Sequence, residues 1–310
     1  MLRALGLGDL LTAVPALRAL GEAFPGHRRE LAAPPALASL LALLPGNFVL
    51  APARGLEPLP DELHGAGVAV NLHGRGPESH RVILSSGPAE LLAFEHPDVS
   101  ETRGMPRWRR DEHEVDRWCR MLGGFGIAAD RSRLEIDRPA PGPTAVPREA
   151  TLIHPGAASA ARRWPAERFA AVARSERRAG RPVVLTGGPD EIELAREVAA
   201  AAGLADAALL AGRTTLAELA SVVAAAARVL CGDTGIAHLA TALGTPSVVL
   251  FGPTSPAEWG PPREPAGRHR AVWSGSLGDP HGVAPDPGLV SLTVEMVLSE
   301  VDQLPAPPSS

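Results

Sequence analysis

Arg228-Val-Leu-Cys231-Gly-Asp233-Thr-Gly235-Ile-Ala-His238-Leu-Ala-Thr-Ala-Leu243-Gly-Thr-Pro-Ser247-Val-Val-Leu-Phe251 is the stretch that decides the fold. Two short apolar runs, 228–231 and 247–251, flank a segment of helical composition, 235–243. A tight hairpin leaves no room for a helix between its strands, so strands joined in this way lie parallel. Outward toward the N-terminus the alternation continues. Residues 151–154 read as a strand, 165–179 as a helix, 182–186 as a strand, 190–202 as a helix, 207–210 as a short strand and 216–227 as a helix. These strands are continuous apolar runs, the pattern of a parallel sheet covered by helices on both faces.

The first half repeats the pattern more loosely. Residues 1–5 read as a short strand, Gly6-Leu-Gly8-Asp9 as a turn and 10–23 as a helix that Pro15 and Gly21 weaken. Strands are expected at 31–33 and 48–50, a helix at 35–44, and an apolar run at 68–72 that ends in His73-Gly-Arg-Gly76. A helix over 111–123 places Val115, Trp118, Cys119 and Leu122 on one face. The expected organisation is a first doubly wound α/β domain over 1–140, a Pro/Gly-rich linker over 141–149 and a second such domain over 150–288. A final helix over 289–304 is expected to pack back toward the first domain, ahead of a disordered tail at 305–310.

The 310 residues carry 30 basic and 35 acidic side chains, a net charge of −5, and no basic stripe that would suit a nucleic acid. Every basic residue is Arg, with no Lys and no Tyr, so a choice of Arg over Lys carries little meaning here. Cys119 and Cys231 are far apart in sequence and form neither a disulfide framework nor a metal cluster. No run approaches the roughly 18–20 apolar residues that span a bilayer, and the start lacks a signal-peptide pattern. A cytoplasmic protein is expected.

Ligands of open parallel sheets bind at the carboxyl ends of the strands. At Gly232-Asp233-Thr234-Gly235 a strand delivers the chain to a helix N-terminus, where free N–H groups and the helix dipole favour an anion. His238 lies one turn further along. The alternative is that Asp233 or Thr234 caps the helix and His238 belongs to the core. His154-Pro-Gly-Ala-Ala-Ser159-Ala-Ala-Arg162-Arg163-Trp164-Pro165 is a small-residue loop whose guanidiniums could clamp a phosphate, or could be solvated. It matches neither a Walker loop nor a GxGxxG fingerprint. Thr186-Gly-Gly-Pro-Asp190-Glu191 puts two carboxylates at another helix start, where either could cap. Asp9 could act as a general base or as an ordinary cap. Asp111-Glu112-His113-Glu114 is no metal site, because consecutive helical residues point different ways.

Taken in this order, these segments resemble glycosyltransferase family 9, the ADP-heptose:lipopolysaccharide heptosyltransferase family. The resemblance runs from Ala4-Leu-Gly-Leu-Gly-Asp9 through His154-Pro-Gly, Arg162-Arg-Trp-Pro165 and Leu185-Thr-Gly-Gly-Pro-Asp-Glu191. It continues through Gly232-Asp-Thr-Gly-Ile-Ala-His238 and Phe251-Gly-Pro-Thr. It implies a GT-B fold, two Rossmann-like parallel-sheet domains facing a cleft. It further implies inverting sugar transfer from a nucleotide-diphospho-sugar, ADP-heptose first, to a hydroxyl of a glycan, glycolipid or secondary-metabolite acceptor. Neither metal nor other cofactor is implied.

By this resemblance Asp9 is the base and Arg162 the phosphate-binding residue, standing where the family usually has Lys. Two polar phosphate contacts of the family fall on Ala157 and Ala158, which leaves only backbone or Ser159. Glu191, with Asp190 as the one-residue alternative, falls on the ribose, and Thr214 near the adenine. Asp233, Thr234 and Gly235 fall on the diphosphate and sugar, and His238 on the sugar hydroxyls. A cysteine-containing segment of many relatives is replaced by Val272-Trp-Ser-Gly-Ser-Leu-Gly-Asp-Pro-His281. Lipopolysaccharide biosynthesis and peripheral contact with the inner face of the plasma membrane follow if the acceptor is a lipid. A nucleotide-sugar 2-epimerase of GT-B architecture and a non-catalytic nucleotide-sugar binding protein are the rival readings.

Overall fold

A computed structural model describes residues 1–147, 149–262 and 267–305. The chain divides into two compact units, one over Met1–Asp137 and one from Arg138 onward. Residues 138–147 belong to the second unit. They are tied to it by Arg138 Nη2 donating to the Ala224 carbonyl (2.6 Å) and Ser221 Oγ to that of Ala140 (2.9 Å). Arg148 of the expected linker and residues 306–310 of the expected tail lie outside the described residues.

The first unit contains α1 (Leu7–Thr12), α2 (Val14–Ala23), β1 (Glu30–Ala33), β2 (Val49–Pro52), β3 (Val68–Val70), α3 (Glu78–Leu84), β4 (Glu90–Leu92) and α4 (Glu114–Gly123). β1 pairs with β2 and β3 with β4, both parallel. The start of the chain joins the two pairs. Leu2 N–H donates to Val70 O (3.0 Å), and Arg3 N–H to Ala32 O (2.9 Å). Leu2 thereby bridges Ala32 and Asn71, giving the spatial order β2, β1, residues 1–3, β3, β4. This is the doubly wound 3-2-1-4-5 arrangement.

Several expectations shift in detail. The strand over 1–5 shrinks to this bridge, because the Leu5 N–H turns back onto Arg3 O (2.9 Å) and takes the chain out of the sheet. The helix expected from residue 10 already begins at Leu7, so Asp9 lies in its first turn. It breaks at Ala13, ahead of Pro15, which offers no N–H to the preceding turn. Residues Pro35–Leu43 form a 3₁₀ helix instead of an α-helix and bury Leu37 and Leu40, three apart, as that tighter period requires. β4 was not expected.

The second unit contains β5 (Thr151–His154), α5 (Ala166–Arg178), β6 (Val183–Leu185), α6 (Ile192–Ala202), α7 (Leu216–Ala225), β7 (Arg228–Gly232), α8 (Gly235–Leu243) and β8 (Ser247–Phe251). It ends with α9 (Pro256–Trp259), β9 (His269–Trp273), α10 (Pro287–Ser291) and α11 (Val294–Asp302). The sheet is parallel, in the order β6-β5-β7-β8-β9. Leu209 bridges Leu185 beyond β6 and supplies a sixth position, completing the 3-2-1-4-5-6 order.

Trp164 and Phe169 meet edge to face at 5.1 Å in the core beneath this sheet. β9 was not expected. Its five residues are hidden between Pro- and Gly-rich flanks, and they pair with β8 throughout. The expected final helix is two. α10 ends at Ser291, and Thr293 then caps α11 by accepting from the Met296 N–H (3.3 Å). α11 was expected to pack back toward the first domain. In the structure it lies on α5, β8 and β9 of its own unit, burying Val297 and Val301 in their shared core. No described helix is long and apolar enough to cross a membrane.

At the amino ends of β5 and β7 the fully buried Glu176 accepts from Thr151 Oγ1 and from Arg181 Nε (2.9 Å), with Arg228 Nη1 at 3.7 Å. Burial alone would raise its carboxyl, but the hydrogen bonds and the two guanidiniums outweigh that and hold it below the ordinary glutamate range. A depressed carboxyl contributes stability that is present above its unfolded pKa and is lost as pH falls through the folded one. Glu176→Gln is therefore expected to lower stability at neutral pH and to flatten the acid limb. Urea unfolding followed from pH 7 down to pH 3 checks this, and an unchanged acid slope would refute it.

Candidate active site

The carboxyl edge of the second unit's sheet collects four of the sequence-predicted segments. Between β7 and α8 the N-cap is Thr234, whose hydroxyl makes no bond to the helix. Asp233 does not cap either: it is 5% exposed, and its Oδ2 accepts from Thr254 Oγ1 at 2.6 Å. The alternative reading, in which one of them caps α8, is thus not met, and the first N–H groups from Gly235 onward have no side-chain partner among the described residues. Such an end attracts an anion. His238, one turn along, stands edge-on to Trp259 at 6.1 Å.

Arg162 sits beside this opening. Its Nη1 donates to the Asp233 carbonyl (3.3 Å), and its Nε is buried without a hydrogen-bond partner among the described residues. The Arg162 carbonyl presses on Gly232, where a Cβ would lie only 2.8 Å from that oxygen, so the loop can lie flat on the strand end only over glycine. A guanidinium and a helix N-terminus thereby face one volume. Ser159 is committed elsewhere: its hydroxyl donates to Gly282 O (2.9 Å) and accepts from the Ala161 N–H (3.3 Å). Ala157 is buried and Ala158 exposed.

At the ends of β5 and β6, Glu191 is 14% exposed at its side chain and its Oε2 accepts from the Gly188 N–H at 2.7 Å. His154 Nε2 lies 3.4 Å from the same oxygen, and His154 Nδ1 is 3.0 Å from Thr186 Oγ1. Burial keeps the His154 ring neutral, against the pull of the Glu191 carboxylate. Asp190 is exposed, which makes Glu191 the carboxylate built into the edge. Thr214 is half-buried just ahead of α7, whose cap is its neighbour Thr215, accepting from the Glu218 N–H (3.3 Å).

In the first unit Asp9 is the sequence-predicted residue, and its side chain is 31% exposed. Its Oδ2 accepts from the Gly6 N–H (3.2 Å), and its Oδ1 lies 3.8 Å from Arg3 Nη2. Arg3, which the sequence reading passed over, is completely buried. It donates to the carbonyls of Asp9 (2.8 Å) and Leu72, to Thr12 Oγ1 (3.2 Å) and to Glu114 Oε1 (3.1 Å), with its guanidinium 4.7 Å from the Trp118 ring centre. The α1 turn is thus pinned to the end of β3 by one side chain. His73 is held below the ordinary histidine range by burial and by Arg3, against the attraction of Asp9. A neutral ring therefore stands near the carboxylate.

The signal that could have exposed Arg3 is a charged residue inside an apolar strand, which is tolerated only if paired. Thr186 and Thr254 stood in the quoted segments without an assigned role, and Trp259 was missed. Among the described residues, no group of three or more His, Cys, Asp or Glu side chains is placed to hold a metal ion. Glu114, which also binds Arg117 and Trp118 Nε1 (2.9 Å), carries the countercharge for this buried cluster. Glu114→Ala is expected to cost about 3–5 kcal/mol, because it removes the buried carboxylate that balances two buried guanidiniums. Chemical denaturation checks it, and a loss below about 1 kcal/mol, ordinary for a surface pair, would refute it.

The model of glycosyltransferase family 9 (heptosyltransferase) matches residues 107–277, more than half of the chain. A glycosyltransferase family 9 protein from Veillonella parvula superposes with a TM-score of 0.76 at 20% identity, covering 97% of this chain and 94% of that one. The ADP-heptose LPS heptosyltransferase II of E. coli gives 0.70 at 21% identity, covering 97% and 96%. The E. coli heptosyltransferase WaaC, solved with ADP-2-deoxy-2-fluoro heptose, gives 0.70 at 17% identity, covering 97% and 98%. No curated protein sequence matches. With two Rossmann-like units of the GT-B glycosyltransferase fold and the family's segments gathered at strand ends, the chain belongs to glycosyltransferase family 9 and is a glycosyltransferase.

Proposed function

We propose that this enzyme transfers a heptose from ADP-heptose, with inversion and without a metal, to a hydroxyl of a glycan or glycolipid of the lipopolysaccharide type. The observation that carries the reading is the uncapped start of α8 with the Arg162 guanidinium beside it. A sugar nucleotide leaves as a diphosphate, and negative charge grows on the oxygen next to the sugar carbon. Helix N–H groups and a guanidinium fixed in place stabilise that charge without having to reorganise. The positive charge a metal would bring to this step comes from the chain itself.

The remaining roles follow from the chemistry. Asp9 accepts the acceptor's hydroxyl proton as that oxygen bonds to the sugar carbon, and the bond from that carbon to the diphosphate oxygen breaks with its electron pair. A single displacement of this kind inverts the centre. Asp233, Thr234 and Gly235 flank the diphosphate, and His238 contacts sugar hydroxyls. Glu191 takes the ribose, and backbone near Thr214 the adenine. The named E. coli relatives, an ADP-heptose LPS heptosyltransferase and an enzyme solved with an ADP-heptose analogue, support the donor. Catalysis at the cytoplasmic side, on the membrane periphery, suits a lipid-linked acceptor.

Calorimetric titration with ADP, UDP, GDP, ADP-heptose, UDP-glucose and GDP-mannose tests the donor. Selective binding of the two ADP compounds is expected, and a preference for UDP or GDP species would overturn the heptose assignment. Asp9→Asn should lower transfer by roughly 10²–10⁴-fold, the range of a general base, with donor affinity nearly unchanged. Interconversion of the free nucleotide sugar with no acceptor present would indicate an epimerase instead. Arg162→Ala should weaken ADP binding by roughly 10–100-fold, as expected for a charged hydrogen bond to phosphate. Loss of turnover with unchanged ADP affinity would refute its phosphate role.

A further inference from the structure

Glu191 occupies a socket whose walls come from two separate segments, 154–156 and 186–188. Gly156 leaves room for it: a Cβ there would lie 2.1 Å from the carboxylate carbon. The Gly188 N–H and His154 Nε2 both address Oε2, at 2.7 and 3.4 Å. Oε1 has no hydrogen-bond partner among the described residues. A carboxylate only accepts, so the histidine nitrogen that faces it carries the ring proton. The other ring nitrogen, Nδ1, is then an acceptor, and the completely buried Thr186 hydroxyl, 3.0 Å away, is its donor. Thr186 thereby sets the tautomer of His154, and His154 sets which oxygen of Glu191 is occupied.

We infer that Thr186 and His154 are positioning residues that hold Glu191 with one oxygen engaged and the other presented to a ribose hydroxyl of the nucleotide. They would thus determine how strictly the site requires a ribonucleotide. The inference rests on the reading of Glu191 as the ribose-binding acid. An unheld carboxylate on a helix start rotates among several rotamers and can turn either oxygen to the cap, whereas here the capping bond from the Gly188 N–H falls on Oε2, the oxygen His154 faces. A held one discriminates, because a nucleotide lacking the hydroxyl leaves the charged oxygen desolvated and unpaired. Gly156 and Gly188 serve the same end from the backbone side.

The test is calorimetric binding of ADP, 2′-deoxy-ADP, 3′-deoxy-ADP and 2′,3′-dideoxy-ADP to the native chain and to Thr186→Val, Thr186→Ser and His154→Leu. The native chain is expected to favour ADP over at least one monodeoxy analogue by roughly 10–100-fold. In Thr186→Val and His154→Leu that ratio should fall to within about threefold, while affinity for the dideoxy nucleotide stays as in the native chain. Thr186→Ser should restore the ratio. A merely structural role would weaken all four nucleotides together, and that result, or an unchanged ratio in both variants, would overturn the inference. If Thr186→Val does not fold, His154→Leu supplies the same reading. ADP binding without discrimination in the native chain would remove Glu191 from the ribose, and absence of ADP binding would remove the donor assignment itself. These two outcomes are distinguishable from each other and from failure of the positioning.

Discussion

A chain that lays successive strands parallel must return to the starting edge of the sheet after each one, and here a helix makes most of those returns. The consequence is geometric. Every strand ends at the same edge, and each helix that follows begins there with its first N–H groups unpaired. In both units the order turns back on itself beside the first strand, between residues 1–3 and β3 in one and between β5 and β7 in the other. At such a switch point neighbouring loops diverge to opposite faces and leave a crevice. Arg162, Asp233 and the start of α8 lie at that place in the second unit, and Asp9 lies at it in the first.

The two units use buried guanidiniums differently. Arg3 is saturated: its donors meet two carbonyls, a hydroxyl and the Glu114 carboxylate, and a tryptophan ring covers its face. It fixes a backbone turn and has little left to offer a ligand. Arg162 is undersaturated, with one long bond to a carbonyl and a buried Nε that bonds to nothing described. A buried donor without a partner is costly unless something completes it. The contrast separates a residue that builds the site from one that waits at it, although both are arginines at the end of a strand or in the loop after one.

Much of the second unit was legible because its strands and helices keep their own periods and glycine marks the turns. What escaped was the short and the disguised. β4 involves too few residues to show a period, and β9 lies between Pro/Gly-rich stretches that look like loop. The split between α10 and α11 turns on Thr293 acting as a cap in the middle of an apolar run. At the site, the motif residues were visible as types, but their commitments were not. Ser159 spends its hydroxyl on Gly282, whereas Thr234 and Asp233 leave the helix end open.

The amino-acid sequence by itself determined the fold class, because hydrophobic periodicity and turn chemistry are local and survive without a third dimension, and the resemblance of its motif segments pointed to the family. It also named most of the candidate site, since a helix start after a strand is an anion site wherever it occurs. Only the tertiary structure decided which of those polar groups are already satisfied. Whether a carboxylate caps a helix, pairs with a histidine or faces open space depends on atoms far away along the chain, 37 residues for His154 with Glu191 and 111 for Arg3 with Glu114. Such pairings are set by the packing of the sheet and leave no trace in local pattern.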